Sequence, residues 1–182
     1  MKKSWILMTV LALTLALGST AFAEVRAGAF TVTPFVGGYT FDGVQHLETN
    51  VVTGLKLGYN ITKNWGVEGQ FSYVPLRSTV AAFPNSGEQY GARADVLYHF
   101  LPEGKFSPFL ALGGGWSKLD YVFDNQDAIL AYGGGFKHSI NKWIAVRADV
   151  RHIFSFHLER QGSFWSNFEY TGGLTFQLDG CR

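Results

Sequence analysis

Cysteine is nearly absent from this sequence, because Cys181 is the only one among 182 residues. An internal disulfide framework and a thiolate metal site are therefore excluded. An excess of charge of one sign is also lacking, since 15 Lys and Arg stand against 14 Asp and Glu. Because nucleic-acid binding needs a concentrated positive surface, we expect no nucleic-acid partner.

Long apolar runs are confined to the start of the chain. Lys2 and Lys3 precede an apolar run from Trp5 to Leu17, and small residues ending in Ala21-Phe22-Ala23 follow. This order predicts a signal peptide at 1–23 and one mature domain at 24–182. The run is shorter than the roughly 20 residues of a transmembrane helix. Beyond it, Gly, Asn, Lys, Glu or Arg interrupts every apolar stretch, so a helical membrane protein is excluded.

Alternation of apolar with polar or small residues dominates the mature sequence and predicts strands. In one run, for example, Leu55, Leu57 and Tyr59 alternate with Lys56 and Gly58. Eight runs follow this pattern, although glycine blunts it in the first, fifth and sixth. The runs cover 29–41, 50–60, 65–75, 90–101, 107–118, 127–138, 143–155 and 166–178.

Strand length and aromatic placement favour a membrane barrel over a soluble sandwich, which would also alternate. Runs of about 10 to 13 residues exceed the usual five or six of soluble strands and match strands that cross a bilayer. Aromatic residues also gather at the strand ends, where membrane interfaces attract them. We therefore predict an all-β fold, an eight-stranded antiparallel up-and-down transmembrane β-barrel. The expected interface aromatics at the short-turn side are Tyr59, Trp65, Tyr98, Phe136 and Trp143.

Two similar corners, "NITKNW" from Asn60 and "SINKW" from Ser139, predict short turns at one end of this barrel. "LPEGKFS" from Leu101 predicts a third. The connections at the opposite end are generally longer, as in external loops of such barrels.

Four segments resemble the transmembrane domain of the outer membrane protein A family: "GLKLGYNITKNWGVEGQFSY", "ALGGGW", "GGGFKHSINKWIAVRADVR" and "GGLTFQL". The resemblance covers nearly the whole mature chain. It implies an exported protein of the Gram-negative cell outer membrane, surrounded by lipid and lipopolysaccharide and monomeric. It also implies that the barrel assembly machinery recognises the last strand, although that strand ends in Leu178 where the family usually has an aromatic residue.

Many family members continue into a periplasmic peptidoglycan-binding domain, and nothing follows Arg182 in this sequence. We therefore expect a stand-alone barrel and do not extend peptidoglycan binding to it. Cys181, which follows the last strand, is a candidate free periplasmic thiol.

Alternation places nine charged side chains on the inner face of the predicted barrel. An eight-stranded barrel is only wide enough for side chains to fill it, so these charges should pair with one another. The resemblance implies that Glu68 and Arg147 belong to an ionic network linked to gating. It also implies charges of opposite sign at Asp95 and Lys137, so the partners stay open, as does the choice between a static plug and a gate. The predicted lumen network is Lys56, Glu68, Arg93, Asp95, Lys137, Arg147, Asp149, Arg151 and Glu169.

An enzyme is the least favoured of the alternatives. His152, Ser155, His157 and Glu159 suggest a lipid A deacylase, but alternation puts His152 and Ser155 on opposite faces of the wall, so they should not meet. The two "GGG" motifs lack the strand-loop-helix context of a phosphate loop. We expect no catalytic residues, no metal and no cofactor.

The favoured function is a structural or surface-interaction role, with external loops that contact a partner not identified by the sequence. The alternative is a channel or transporter for small or hydrophobic solutes, because the loop segments 80–83 and 121–123 are rich in apolar residues.

Overall fold

The computed structural model describes residues 25–42, 49–76, 87–120, 124–157 and 164–178. The predicted signal peptide, Cys181, Glu159 and the apolar loop segments lie outside these residues, and the predictions about them stay predictions. The described residues form eight strands: β1 (Phe30–Thr40), β2 (Asn50–Asn60), β3 (Trp65–Leu76), β4 (Gly87–His99), β5 (Phe106–Asp120), β6 (Asp124–Ser139), β7 (Ile144–His157) and β8 (Phe164–Leu178).

Each strand pairs antiparallel with its neighbours in sequence, and the first strand closes the ring on the last. Phe30 of β1 faces both Tyr59 of β2 and Leu178 of β8. Closure leaves no sheet edge, so every strand satisfies its backbone groups on both sides, as hydrocarbon requires. The predicted fold class is therefore confirmed. Among the described residues, no helix is long and apolar enough to cross a membrane.

The alternation in the sequence separates the inside of the barrel from the outside. In β2, Val52, Lys56 and Asn60 are buried, whereas Leu55 and Leu57 are 39% and 55% exposed. Successive side chains of a strand point to opposite faces, so the inward set is enclosed in the lumen and the outward apolar set covers the wall.

β5 and β6 are longer than the sequence pattern predicted. They were expected at 107–118 and 127–138, but pairing continues to Asp120 and Asp124 and leaves only 121–123 between the strands. Strand residues that lie outside the hydrocarbon need no apolar face. The hydrophobic alternation therefore ends before the backbone pairing of β5 with β6 does.

Three short turns, at 61–64, 100–105 and 140–143, lie at one end of the barrel, the turn end, and we call the opposite end the loop end. The two similar corners share a mechanism. Thr62 Oγ1 accepts hydrogen bonds from the backbone N–H groups of Asn64 and Trp65. Asn141 Oδ1 does the same for Trp143 and Ile144. A side-chain oxygen thus replaces a backbone partner in each turn and places a Trp where the following strand begins.

Candidate functional site: the charged lumen

The structure places all nine predicted charged residues inside the barrel, each at most 7% exposed. They come from β2, β3, β4, β6, β7 and β8. We call these nine residues the charged layer. Five are cationic and four are anionic, so their geometry must compensate charges that would be costly to bury alone.

Arg147 is the centre of one part of the charged layer. Its guanidinium binds the Glu68 carboxylate through both terminal nitrogens, with Nη2 donating to Oε1 at 2.9 Å. Its Nε donates to Asp149 Oδ2 at 2.9 Å. Lys56 Nζ reaches the same Asp149 carboxylate at 2.9 Å and donates to Thr171 Oγ1 at 3.1 Å. The two-pronged geometry is one that Arg forms and Lys cannot.

Arg93 is the centre of the other part. Its Nη2 donates to Glu169 Oε1 at 2.8 Å and to Gln70 Oε1 at 2.7 Å, and its Nε donates to Asp95 Oδ2 at 3.2 Å. Gln70 Nε2 in turn donates to the Glu169 carboxylate at 3.2 Å. The sequence prediction did not include Gln70 in the network, although its position two residues after Glu68 places it on the same inner face.

Arg151 joins the two parts. Its Nη2 lies 3.3 Å from Asp149 Oδ1 and 3.8 Å from Asp95 Oδ2. The guanidinium nitrogens have no hydrogen-bond partner among the described residues, so these contacts are ion pairs without good hydrogen-bond alignment. The Phe109 ring packs against two of the cations, with its centroid 4.8 Å from Arg147 Cζ and 5.7 Å from Arg151 Cζ.

Lys137 differs from the other cations because no carboxylate of the described chain lies within ion-pair distance of it. Its Nζ contacts His99 Nε2 at 3.1 Å and lies 5.6 Å from the Phe109 centroid. A protonated ammonium donates to Nε2, which requires the His99 tautomer with its proton on Nδ1. The sequence placed His99 on the inner face but did not identify it as the partner of Lys137.

Glycines make room for the charged layer. In the strand register, Gly113 and Gly115 of β5 lie opposite Asp95 and Arg93, and Gly133 and Gly135 of β6 lie opposite Arg151 and Asp149. A Cβ at Gly113 would collide with the Asp95 carboxylate, and one at Gly135 would collide with Asp149 Cβ. The "GGG" motifs therefore supply volume for large charged side chains on the adjacent strands.

Apolar side chains fill the lumen on the other side of the charged layer, toward the loop end. On β7, Ile153 follows Arg151 in that direction, and on β2 Val52 lies four residues beyond Lys56. Leu119 packs against this group, which we call the apolar layer. Its members are Phe35, Tyr39, Phe41, Val52, Val74, Ile129, Ala131 and Ile153, each at most 9% exposed.

The five predicted interface aromatics lie on the outer wall near the turn end. Tyr59, Trp65, Phe136 and Trp143 are 37%, 49%, 39% and 42% exposed, and Tyr98 is half-buried. Trp65 and Tyr98 pack edge to face with centroids 4.9 Å apart. Rings in this position match the interface preference of amphipathic aromatics.

His152 and Ser155, the two described members of the hydrolase alternative, do not come together. Ser155 is buried in the lumen at 2% exposure, whereas His152 packs between aromatic rings on the outer wall. The side chain of His157 and all of Glu159 lie outside the description. His152 instead contacts Tyr132 and Ser166, which the sequence analysis did not consider. Within the described segments, no group of three or more His, Cys, Asp or Glu side chains is arranged to hold a metal ion.

Solved structures with a similar fold are known. The N-terminal β-barrel domain of OprF from Pseudomonas aeruginosa matches at 18% identity and a TM-score of 0.57, covering 84% of this chain and 98% of that one. OprG of the same organism matches at 14% and 0.60, covering 88% and 100%. Neisserial surface protein A matches at 16% and 0.57, covering 82% and 98%. None of these names refers to a reaction.

No curated protein matches the sequence. The model of the outer membrane protein beta-barrel domain family, in contrast, matches residues 9–176. That match agrees with a closed barrel of eight antiparallel strands, with charged residues enclosed inside and an apolar outer wall. The chain belongs to the outer membrane protein beta-barrel domain family.

Proposed function

We propose that this protein is a structural and surface-interaction barrel of the Gram-negative outer membrane, with a lumen that is permanently plugged. The observation that carries the proposal is the filling of the lumen at two successive levels. A solute would have to pass both the apolar layer and the charged layer, whose members are all at most 9% exposed.

The space between the two layers supports a plug. A cavity lined by Tyr39, Gln70, Arg93, Ile153 and Glu169, among others, has a volume of about 10 Å³. A single water molecule needs about 10 to 15 Å³, so no solute fits there. Opening a path would require several ion pairs to break together, and buried charges separated from their partners are costly.

The remaining parts of the proposal concern partners and export. Residues 1–23 direct export, and the barrel assembly machinery recognises the last strand. The loop end faces the outside of the cell. Because the closed barrel has no free strand edge, nothing favours strand pairing with a second copy, which supports a monomer. With the lumen closed, contacts with the surroundings fall to the loops and the outer wall.

Conductance in planar lipid bilayers tests the plug. We expect the full-length wild-type protein to show no steady current and at most rare, small openings. Glu68→Gln and Arg147→Gln should leave that record unchanged in protein that still shows the heat-dependent gel mobility of a folded barrel. Lys63→Gln, which removes an exposed charge at the turn end and leaves the lumen intact, is the matched control.

Two results would count against the plug. A steady wild-type current would identify a channel. Openings that become more frequent or larger when Glu68 or Arg147 loses its charge, but not in Lys63→Gln, would identify a gate with the Glu68–Arg147 pair as its moving part.

A further inference from the structure

Three polar side chains form a hydrogen-bonded chain on the outer wall of the barrel, on the side facing away from the charged layer. Ser166 Oγ lies 2.6 Å from His152 Nε2, and His152 Nδ1 lies 2.8 Å from the Tyr132 hydroxyl. The chain crosses three adjacent strands, from β8 through β7 to β6. A hydroxyl nucleophile, an imidazole and a third group that orients the imidazole are the parts that nucleophilic catalysis requires.

Strand register brings these residues together although 34 positions separate Tyr132 from Ser166. Tyr132 lies directly opposite His152, and Ser166 lies one diagonal step from His152, opposite Phe154. Diagonal neighbours on one face of a sheet are within reach of long side chains. A serine on the lumen side of β7, such as Ser155, cannot take this position.

The height of the site places it at a membrane interface. His152 of β7 is nine residues from Trp143, which immediately precedes β7, and this is about 23 Å across the membrane for a strand tilted by about 40°. The apolar band of such barrels is about 25 Å tall. Trp143 marks the interface at the turn end, so His152 lies at the interface of the loop end, where acyl chains meet head groups.

The surroundings hold the imidazole and the serine in place. The His152 ring stacks on Phe168 with an interplanar angle of 6° and a centroid distance of 4.4 Å, and Phe154 packs at the same distance. The backbone N–H of Ser166 donates to Asp42 Oδ2 at 3.2 Å, and the Asp42 N–H donates to Asn167 Oδ1 at 3.0 Å. Asp42, two residues beyond the end of β1, therefore fixes the backbone that carries the serine.

We propose that Ser166 and His152 are the nucleophile and general base of a lipid ester hydrolase, with Tyr132 as the positioning residue. The position of this site on the lipid-facing wall, at the membrane interface, indicates the class of substrate. The site opens onto the lipid-facing wall beside Tyr132, which is 46% exposed, and Phe168, which is 39% exposed. An amphiphile whose carboxylic ester lies at the interface presents its carbonyl at this height, while its acyl chain lies along the apolar wall.

The reaction balances with water as the second substrate. In the tautomer with the proton on Nδ1, His152 donates to Tyr132 Oη, and Nε2 accepts the Ser166 proton as Oγ attacks the ester carbonyl. The ester C–O bond breaks, and the imidazolium returns the proton to the leaving alkoxide. Interfacial water, deprotonated by His152, then attacks the acyl-serine; the acyl C–Oγ bond breaks, the imidazolium returns the proton to Ser166 Oγ, and a carboxylic acid is released. A neutral phenol stabilises an imidazolium less than a carboxylate would, so we expect slow turnover.

Active-site labelling is the first test. Full-length protein folded in detergent micelles is incubated with an alkyl fluorophosphonate, which reacts with activated serines, and the adduct is mapped by mass spectrometry. We expect the adduct on Ser166, its loss in Ser166→Ala, and a rate at least about tenfold lower in His152→Phe, which keeps an aromatic ring but removes the base. Ser155→Ala, a serine change on the lumen side of the same wall, should label like the wild type.

The role of Tyr132 is tested by separating binding from reaction. Tyr132→Phe keeps the ring and removes only the hydroxyl. We expect it to lower the maximal labelling rate several-fold while the probe concentration that gives half the maximal rate stays unchanged. A merely structural contact would leave the maximal rate unaltered.

Fatty-acid release identifies the source of the ester. Folded protein is mixed separately with phosphatidylethanolamine vesicles, with lipopolysaccharide dispersed in detergent, and with a short water-soluble ester. Release from either lipid that disappears in Ser166→Ala supports the proposal and names the lipid class. Hydrolysis of the soluble ester alone would overturn the lipid assignment. If folded protein forms no Ser166 adduct, or if the His152→Phe variant is labelled as fast as the wild type, the assignment of nucleophile and base is wrong. If no substrate releases fatty acid, the protein is not a hydrolase.

Discussion

The charged layer and the apolar layer fill the same narrow lumen by opposite means. In the charged layer, single contacts such as Arg147 with Glu68 depend on the direction of each donor and acceptor. In the apolar layer, Val52 and Ile153 are buried at 0% and 2% exposure with no polar atom to satisfy. Dispersion and burial depend on volume rather than direction, whereas a buried charge depends on a specific partner. The charged layer should therefore be the less tolerant of substitution.

The largest expected effect comes from breaking the centre of the charged layer. Arg147→Ala removes the guanidinium that binds both Glu68 and Asp149 and leaves Glu68 without its bidentate partner. We expect a loss of about 3 to 5 kcal/mol in the free energy of unfolding. Urea unfolding of the barrel in lipid vesicles, followed by tryptophan fluorescence, measures it.

The matched control uses an exposed ion pair. Lys63 Nζ lies 3.1 Å from Glu103 Oε1 at the turn end, and both side chains are largely exposed. Lys63→Ala should cost no more than about 1 kcal/mol. Equal losses at Arg147 and Lys63 would contradict the idea that burial makes the pairing essential.

A second prediction concerns the apolar layer. Ile153→Ala should cost about 2 to 5 kcal/mol, because it leaves a cavity beneath Phe35 and its neighbours. Ile153→Leu keeps the volume and should cost less than about 1.5 kcal/mol. The same unfolding assay separates the two variants, and equal losses would show that shape, not volume, governs this layer.

A third prediction tests the glycines that border the charged layer. Gly113→Ala places a methyl group against the Asp95 carboxylate and the Ala94 carbonyl, so we expect a loss of about 1 to 3 kcal/mol. At Gly69, an added Cβ meets only the Leu57 carbonyl at 3.9 Å. Gly69→Ala should therefore be neutral or slightly stabilising. If the unfolding midpoints of the two variants coincide, the lumen is less crowded than the register indicates.

The smallest effect is expected at Lys137. Its ammonium contacts His99 rather than a carboxylate, so its removal leaves no anion unpaired. Lys137→Met, which keeps the length of the side chain, should change the free energy of unfolding by less than about 1 kcal/mol or increase it. A loss as large as that of Arg147→Ala would mean that Lys137 compensates Glu68 and Asp149 at longer range.

Much of the fold could be predicted from the sequence because alternation is local. Leu57 and Lys56 are adjacent, so their opposite faces follow from the pleat alone. The ends of β5 and β6 could not be predicted in the same way, since the pairing of Asp120 with Asp124 lies beyond the end of the apolar alternation. Alternation placed Gln70 and His99 on the inner face with the charged layer, but alternation does not reveal which charged side chain each one contacts.

The sequence by itself determined the number of strands, the inward position of nine charges and the outward position of the five interface aromatics, because each depends on a period of two. Only the tertiary structure decided the partners. Glu68 and Arg147 are 79 residues apart, and Lys56 and Asp149 are 93 apart. Whether such residues meet depends on the stagger of the strands around the closed barrel, which sets the height of each side chain. The same stagger brings Ser166 to His152, and no periodicity in the sequence encodes it.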